Sequence, residues 1–298
     1  MRRRFGVLFW VACVCVLTLS VPGGGADFIR GDVDASGAPD ITDAVQILRH
    51  LFLGSPEKLS CDDAADADDG GSVNLTDAVF LLGSLFQGGS APVLPFPECG
   101  EDPTEDALSC DTFEGCMGTM EFCGATLLAD GFFFAVDLSP SWYGLDTAKT
   151  DMLRVISSLP GRCEFGGVFF AASFQRFPAN GLPASATAEA KEAAANFIGQ
   201  LPNLPGSCPK QGLQLALDMA KASTARRKVI VYIGDGGGTC QGQDERVYLQ
   251  DTLDLVASAN AGMARVYSMF PPGLPADHQK FVVDLAAQNG GEHCQTPE

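Results

Sequence analysis

The stretch GFFFAVDLSPS, residues 131–141, decides the fold of the larger part of this chain. It opens with a continuous apolar run and closes with three oxygen-bearing side chains, Asp137, Ser139 and Ser141. An apolar run without alternation is typical of a strand that is buried on both faces of a parallel sheet. In open α/β sheets, ligands bind beyond the carboxyl ends of such strands. The stretch therefore predicts a central strand with a polar site at its end.

The sequence that follows continues the same pattern of strands and helices. Further buried strands are predicted at residues 164–174, 228–236 and 264–270. Apolar residues at three- and four-residue spacing predict helices at residues 146–159, 186–201, 210–223, 245–260 and 276–289. Strands that alternate with helices predict an α/β fold with a doubly wound, mostly parallel sheet, which we assign to residues 127–298.

Two more oxygen-bearing residues are expected near the end of the first strand. Ser207 precedes the helix at 210–223, and Asp235 follows the apolar part of the strand at 228–236. Together with the polar residues of the first strand end, they supply two carboxylates and three hydroxyls. Such hard oxygen ligands suit an octahedral ion such as Mg²⁺, which keeps part of its water.

This ordered set of D-x-S-x-S, hydroxyl loop and strand-end Asp resembles the von Willebrand factor A domain, which carries a metal-ion-dependent adhesion site. The resemblance implies a Rossmann-like fold, a Mg²⁺ or Mn²⁺ ion, and a protein ligand that offers a carboxylate to that ion. The ligands that it implies are Asp137, Ser139, Ser141, Ser207 and Asp235.

The match to that family has departures. Ser207 stands where threonine is usual and keeps the oxygen, whereas Trp142 stands where Met is common. Little sequence remains before Glu298 for a last strand. The alternative interpretation is the same fold with polar strand ends that only cap helices and hold water.

A different motif, GDVDASGAPDITD, spans residues 31–43. Counted from Asp32, oxygen-bearing side chains stand at positions 1, 3, 5, 9 and 12 with Gly37 at position 6, which is the ligand order of a calcium loop. The same frame begins again at Asp66, with Gly71 at position 6. The predicted Ca²⁺ ligands are Asp32, Asp34, Ser36, Asp40 and Asp43 in the first loop and Asp66, Asp68, Asn74 and Asp77 in the second.

Each loop runs into an apolar segment with helical spacing that ends at a glycine, Gly54 or Gly88. Two loop-plus-helix units with Asp at position 12 resemble the duplicated repeat of bacterial dockerin modules. The resemblance implies a small all-α, EF-hand-like calcium module over residues 27–89 and a cohesin-like partner. Pro39 at position 8 and Gly70 at position 5 of the second loop depart from the family pattern. Two solvated acidic turns are the alternative interpretation.

In the dockerin family, positions 10 and 11 of the loop help to contact the partner. Here these positions hold Ile41, Thr42, Leu75 and Thr76. Ile41 and Leu75 therefore either face a partner or pack between the repeats.

The N-terminal segment has the pattern of an export signal. Three arginines precede an apolar run from Phe5 to Val21, and Gly24 and Ala26 are placed for cleavage before Asp27. This pattern predicts a secretory signal peptide at residues 1–26 and a protein that is secreted or held at the cell surface. The membrane is expected as a partner only if this segment stays uncleaved.

The cysteines agree with export. After the signal segment, nine remain: Cys61, Cys99, Cys110, Cys116, Cys123, Cys163, Cys208, Cys240 and Cys294. Export favours disulfides, and an odd number leaves at least one thiol unpaired or joined to another molecule.

Residues 90–126 are assigned to a linker that is rich in Pro and Cys, because the stretch at 88–116 has no helical or strand periodicity. Cys99 and Cys110 either close a small disulfide loop there, or the segment is a flexible spacer with unrelated bridges. A zinc site at Cys110, Cys116 and Cys123 is a further alternative.

The charge of the chain argues against several functions. The formal net charge is −18, and the acidity is concentrated in residues 27–126, which hold 20 acidic and 3 basic residues. This balance excludes nucleic acid as a partner. The glycine-rich GDGGGT at 234–239 has no lysine, and the chain has no G-x-S-x-G, so neither a phosphate-binding loop nor a serine nucleophile is predicted.

The sequence thus predicts an exported, non-catalytic binding protein in which a calcium-organised docking module is joined to a metal-dependent adhesion domain. The alternative function is a non-catalytic component of an extracellular polysaccharide-degrading assembly, recruited through the dockerin-like module. A third interpretation is structural, with calcium stabilising an acidic stalk.

Overall fold

A computed structural model describes residues 25–141, 144–240, 242 and 244–296. Most of the predicted signal peptide, residues 1–24, lies outside the described residues, and so does Trp142. Within the described part of the chain, no helix is both long and apolar enough to cross a membrane.

The first module is built from two matched helices, α1 (Ile41–Leu53) and α3 (Leu75–Gln87), with a single helical turn, α2 (Asp62–Ala65), between them. Both long helices begin with a capping box and end at a glycine in the left-handed conformation. They pack against each other through small and branched apolar residues, namely Ala44, Ile47, Ala78 and Leu81. The duplicated sequence therefore forms a duplicated structure.

The segment after α3 is not the strand-free linker that the sequence predicts. After a 3₁₀ turn at Glu114–Cys116, β1 (Gly118–Phe122) and β2 (Ala125–Ala129) form an antiparallel hairpin. Met120 and Phe122 of this hairpin are buried against the second module. The alternation in β1 is short and lies between cysteines and glycines, which is why the pattern is hard to read from sequence.

The structure confirms the predicted disulfides, with four bridges and one free cysteine, the buried Cys163, among the described residues. The bridges are Cys61–Cys110, Cys99–Cys116, Cys123–Cys294 and Cys208–Cys240. The suggested loop between Cys99 and Cys110 is wrong, because each pairs with another cysteine. The zinc alternative is also wrong, because its three cysteines belong to three different disulfides and offer no thiolate.

The bridged segment, residues 90–116, folds back on the first module rather than acting as a flexible spacer. Phe28 pairs with Gly100 in an isolated antiparallel bridge, and the backbone N–H of Arg30 donates to the carbonyl of Pro95. Phe28, Phe113 and the two nearby disulfides share a small apolar core.

The second module is an α/β domain with a twisted sheet and helices on both faces. Its strands are β3 (Gly131–Asp137), β4 (Glu164–Phe170), β5 (Phe174–Phe177), β6 (Ala184–Ser185), β7 (Lys228–Ile233), β8 (Arg265–Phe270) and β9 (His293–Gln295). Its helices are α4 (Leu145–Ser158), α5 (Ala188–Gly199), α6 (Pro209–Ala222), α7 (Glu245–Asn260) and α8 (Ala276–Ala287).

The strand order is β5-β4-β3-β7-β8-β9, with β6 paired to β4. β5 and β6 are antiparallel to β4, and all other pairs are parallel. Numbered along the chain without β6, this order is 3-2-1-4-5-6, the order of doubly wound dinucleotide-binding folds. The predicted mixed α/β fold with a mostly parallel sheet is confirmed.

Two details differ from the prediction. The strand expected at 164–174 is divided by a turn at residues 171–173, after which the chain returns as β5. A last strand does form, because β9 adds three residues in parallel to β8.

The sheet has an apolar layer on each face. Phe132, Phe134 and Val136 of β3 belong to the core under α4 and α5. Phe133 and Ala135, on the opposite face of the same strand, belong to the core under α6, α7 and α8. Burial on both faces explains why β3 has the continuous apolar run from which the strand is predicted.

We expect Phe133→Ala to lower the free energy of unfolding by about 3–5 kcal/mol, because it leaves a large cavity in a packed core. Urea unfolding of the calcium-saturated chain, followed by far-ultraviolet circular dichroism, measures the change. Phe174→Ala is the matched control, since Phe174 lies on the edge strand β5 and is 38% exposed. Equal losses in the two variants would contradict the described packing of β3.

Candidate metal centres

The predicted strand-end residues lie where the strand order reverses. Asp137 is the last residue of β3, and Asp235 follows β7, the neighbour of β3 in the sheet. The chain continues from β3 to one side of the sheet and reaches the other side through β7. The crevice at such a switch point is the usual ligand site of an open α/β sheet.

Four of the five predicted residues are joined by hydrogen bonds. The backbone N–H of Ser139 donates to Asp137 Oδ1 (2.7 Å), and the Ser207 hydroxyl donates to Asp137 Oδ2 (2.8 Å). The hydroxyl oxygens of Ser139 and Ser141 are 2.9 Å apart. Asp235 instead accepts a hydrogen bond from the Gly237 N–H through Oδ1 (3.0 Å). The structure therefore gathers an oxygen cluster from segments that are far apart in sequence.

The cluster contains two carboxylates that are largely shielded from water. Asp137 is fully buried, and this burial raises its pKa to about 6, with a further rise from the negative charge of Asp235. Hydrogen bonds from Ser139 and Ser207 act in the opposite direction. Burial, followed by the charges of both carboxylates, also raises the pKa of Tyr232 well above its ordinary value. A cation at this place would be attracted by the negative charges of Asp137 and Asp235.

These residues fit a divalent ion by the chemistry of their donors. Four of these residues are joined by hydrogen bonds, and Asp235 is near enough for its charge to raise the pKa of Asp137. All five would offer oxygen and none nitrogen or sulfur, so the set suits Mg²⁺ or Mn²⁺ and not Zn²⁺. Ser141 is the exposed member of the set, and the others are buried. The cluster therefore opens to solvent on the side of Ser141.

Two further side chains shape this region, although no sequence motif predicts them. Glu245, at the start of α7, accepts a hydrogen bond from the Gly238 N–H (2.8 Å) and lies 3.1 Å from Nε2 of His278 on α8. A side chain at Gly237 would collide with the His278 ring. The loop after Asp235 is thus held against two helices. The contact joins residues that are more than 30 positions apart in sequence, so no local motif predicts it.

A disulfide also spans the cluster. Cys208 directly follows Ser207, and Cys240 lies in the loop that follows Asp235. The bridge therefore connects the two segments that bring a hydroxyl and a carboxylate to Asp137.

The first acidic loop brings its charged residues together as the sequence predicts. Oxygens of Asp32, Asp34 and Asp43 all lie within 4.8 Å of one another. Asp43 is fully buried, and its burial raises its pKa to about 6. Ser36 lies beside this group, with its hydroxyl 3.3 Å from Asp32 Oδ1. Asp40, in contrast, caps α1 by accepting from the Thr42 N–H (2.6 Å).

The second loop repeats this arrangement with Asp66, Asp68 and Asp77. Burial raises the pKa of Asp77 to about 7. Asp68 Oδ1 is buried and receives no hydrogen bond from any described residue. This oxygen is therefore available as a ligand for a cation. Asn74 caps α3, as Asp40 caps α1.

The backbone conformation of the two loops is the same at the positions that make the turn. Position 4 has positive φ in both, with 58° at Ala35 and 58° at Asp69, and so has the glycine at position 6. At position 5, a side chain in place of Gly70 would lie 2.8 Å from Asp68 Oδ1. Glycine at position 5 supplies no side-chain ligand, and it therefore leaves room around Asp68 Oδ1.

Ile41 and Leu75 do not pack between the repeats. They are 54% and 50% exposed, respectively, at the start of α1 and α3. Of the two interpretations of these residues, packing between the repeats is therefore wrong.

No protein-family model and no curated protein matches this chain. Among solved structures, it is similar to a von Willebrand factor type A protein from Catenulispora acidiphila, with 16% identity over 56% of this chain and 38% of that chain and a TM-score of 0.49. It is also similar to the pilus adhesin SpaC from Lactobacillus rhamnosus GG, with 12% identity over 56% and 28% of the two chains and a TM-score of 0.46. A third similar structure is the vWF domain of the type V pili tip protein Mfa5 from Porphyromonas gingivalis, with 11% identity over 55% and 89% and a TM-score of 0.42. The chain spans less than two thirds of the length of the first two.

Replacing Cys208 and Cys240 together by serine should weaken Mn²⁺ binding at the strand-end cluster by about 10-fold, the range expected when support around the ligands is lost. The reason is that the bridge restrains both segments that flank Asp137. Titration followed by electron paramagnetic resonance of free Mn²⁺ measures the change. The matched control replaces Cys123 and Cys294, which join the β1–β2 hairpin to the edge strand β9. Similar affinities in both double variants would contradict a positioning role for the Cys208–Cys240 bridge.

Proposed function

We propose that this chain is an exported, non-catalytic binding protein whose second module holds a divalent ion at the strand-end cluster and binds a protein ligand through it. The observation that carries this proposal is the convergence of two carboxylates and three hydroxyls at the switch point of the sheet. A site of oxygen ligands that is partly open to solvent has the chemistry of an adhesion site.

The five residues of the site supply two kinds of ligand oxygen. Asp137 and Asp235 supply negative charge, and the hydroxyls of Ser139, Ser141 and Ser207 supply neutral oxygens. When bound, Mg²⁺ or Mn²⁺ supplies an open position that a carboxylate oxygen of the ligand can occupy. Because the chain contributes only two carboxylates, a third from the ligand meets less repulsion than it would at a site with more acidic ligands.

We further propose that the first module binds one Ca²⁺ in each of its two loops. Support comes from the two triplets of carboxylates and from the uncompensated oxygen of Asp68. Asp43 and Asp77 accept backbone hydrogen bonds from their own loops while starting the helices. Calcium binding and helix packing are therefore coupled.

The first module would dock the chain on a partner through the outer faces of its helices. Apolar residues recur there with helical spacing and are about half or more exposed; they are Ile41, Val45 and Phe52 on α1 and Leu75, Val79 and Phe86 on α3. Exposed apolar patches of this kind mark interaction surfaces. This surface supports a cohesin-like partner, and with it the second candidate function, recruitment to an extracellular assembly that degrades polysaccharide.

Asp137→Ala should abolish Mn²⁺ binding at the strand-end cluster and, with it, ligand capture. Ser207→Thr should bind at least as well as the parent, since it keeps the hydroxyl that bonds to Asp137. Mn²⁺ titration of the full chain measures the first effect, and capture of secreted proteins with Mg²⁺ or with chelator measures the second. Circular dichroism checks that each variant is folded. The adhesion site would be refuted if Asp137→Ala bound Mn²⁺ as tightly as the parent. It would also be refuted if the same proteins were captured with Mg²⁺ and with chelator.

The first module should lose helical structure when calcium is removed, because the carboxylates in the empty loops repel one another. Circular dichroism of the full chain with and without excess chelator tests this expectation. Asp34→Ala should remove one bound Ca²⁺ per chain, whereas Glu57→Gln, an exposed acidic residue outside the loops, should remove none. Identical spectra in calcium and in chelator would leave solvated acidic turns as the better description.

A further inference from the structure

A third group of carboxylates lies outside both calcium loops. One oxygen from each of Asp63, Asp102 and Asp106 lies within 4.8 Å of the others. Asp63 belongs to α2 in the first module, whereas Asp102 and Asp106 belong to the bridged segment that folds back on it. Two oxygens that bind one calcium ion, each at about 2.4 Å, are at most about 4.8 Å apart. The three side chains are therefore close enough to share an ion.

Asp63 gives an independent indication of a missing positive partner. The residue is 5% exposed, and its Oδ1 atom is buried without a hydrogen bond from any described residue. Burying a carboxylate is strongly unfavourable unless it is paired or hydrogen-bonded. The same side chain places an oxygen within 4.8 Å of oxygens of Asp102 and Asp106, which are negative and cannot compensate its charge.

Arg30 is the nearest cation, and it does not fill this role. Its guanidinium is fully buried and lies 2.8 Å from Asp102 Oδ1 and 3.1 Å from Asp69 Oδ1. Its contact with Asp63 is with the backbone carbonyl, at 3.5 Å, and not with the side chain. The guanidinium therefore pairs with the carboxylates of Asp69 and Asp102, and Asp63 keeps a carboxylate oxygen without a hydrogen bond from any described residue.

Oxygens are also free on the side of the bridged segment. Asp102 uses Oδ1 to accept from Arg30 and from Thr104, and Asp106 uses Oδ1 to accept from the Leu108 N–H (2.7 Å). The Oδ2 atom of each carboxylate has no hydrogen bond from the described part of the chain. Both Oδ2 atoms can therefore bind an ion without loss of the bonds that shape the segment.

We propose that Asp63, Asp102 and Asp106 form a third Ca²⁺ site, which fastens the bridged segment to the first module. The donors are carboxylates only, and the nearby cysteines are in disulfides, so a hard cation is favoured over Zn²⁺. The Cys61–Cys110 bridge holds the bridged segment to the first module, and the Cys99–Cys116 bridge closes the loop that carries Asp102 and Asp106; both act before the ion binds, which reduces the entropy lost on binding. The Thr104 hydroxyl, which donates to Asp69 Oδ1 (2.9 Å), links this site to the second calcium loop.

The first test counts calcium bound to the full chain by equilibrium dialysis and elemental analysis. Asp106→Asn should bind one Ca²⁺ fewer per chain than the parent. Glu105→Gln, the exposed neighbour with the same change of charge, should bind the parental number. The difference between variants does not depend on how many ions the two loops or the strand-end cluster hold, so failure of the proposed function is distinguishable. Equal calcium in Asp106→Asn and the parent would overturn the third site.

The second test uses the sign of a change in stability. If no ion binds, Asp106→Asn relieves repulsion among like charges and raises the midpoint of thermal unfolding at any calcium concentration. If an ion binds, the variant loses a ligand, and its midpoint in saturating calcium falls below that of Glu105→Gln. A midpoint in calcium that is higher than that of the control contradicts the proposal.

Discussion

The double burial of β3 is the constraint on which the rest of the second module depends. A strand with an apolar layer on each face has no place for a polar side chain along its length, so polar groups collect where it ends. Asp137 stands at that point, still fully buried, and its negative charge needs compensation. Ser207 and the Ser139 N–H provide part of it, and their hydrogen bonds fix the loops that carry them. The burial of β3 on both faces therefore explains both the packing of the core and the position of the candidate site.

The first module meets the same problem of buried charge with a different arrangement. Asp43 closes the capping box of α1 through Oδ2 and accepts from the Val33 and Asp34 N–H groups through Oδ1. One carboxylate thus starts a helix and faces the centre of an acidic loop. Asp77 does the same for α3, though with fewer loop hydrogen bonds. Because each helix start includes a candidate ligand, an ion in the loop would also stabilise the start of a helix that contributes Ala44 or Ala78 to the shared core.

The sequence predicts the parts of this structure that depend on local pattern. The apolar run of β3, the spacing of α7 and the repeated loop frame are read correctly because each lies within one segment. Contacts that join distant segments are not visible in this way. They include the Cys61–Cys110 pairing, the Glu245–His278 contact and the approach of Asp106 to Asp63. The β1–β2 hairpin was missed for another reason, since its strands are only five residues long and Cys123 and Gly124 interrupt the pattern between them.

The bridged segment also determines how the two modules relate to each other. Arg162, just before β4, donates to the carbonyls of Gly115 and Cys116, and Asp27 shares a polar cavity with Asp130 and Arg226. All three residues of the second module precede strands, so the first module contacts the amino ends of the sheet. The strand-end cluster lies at the carboxyl ends, which is the opposite edge of the sheet. A partner held by the outer faces of α1 and α3 would therefore leave the strand-end cluster accessible on the side of Ser141, and this separation favours a linking role over a stalk.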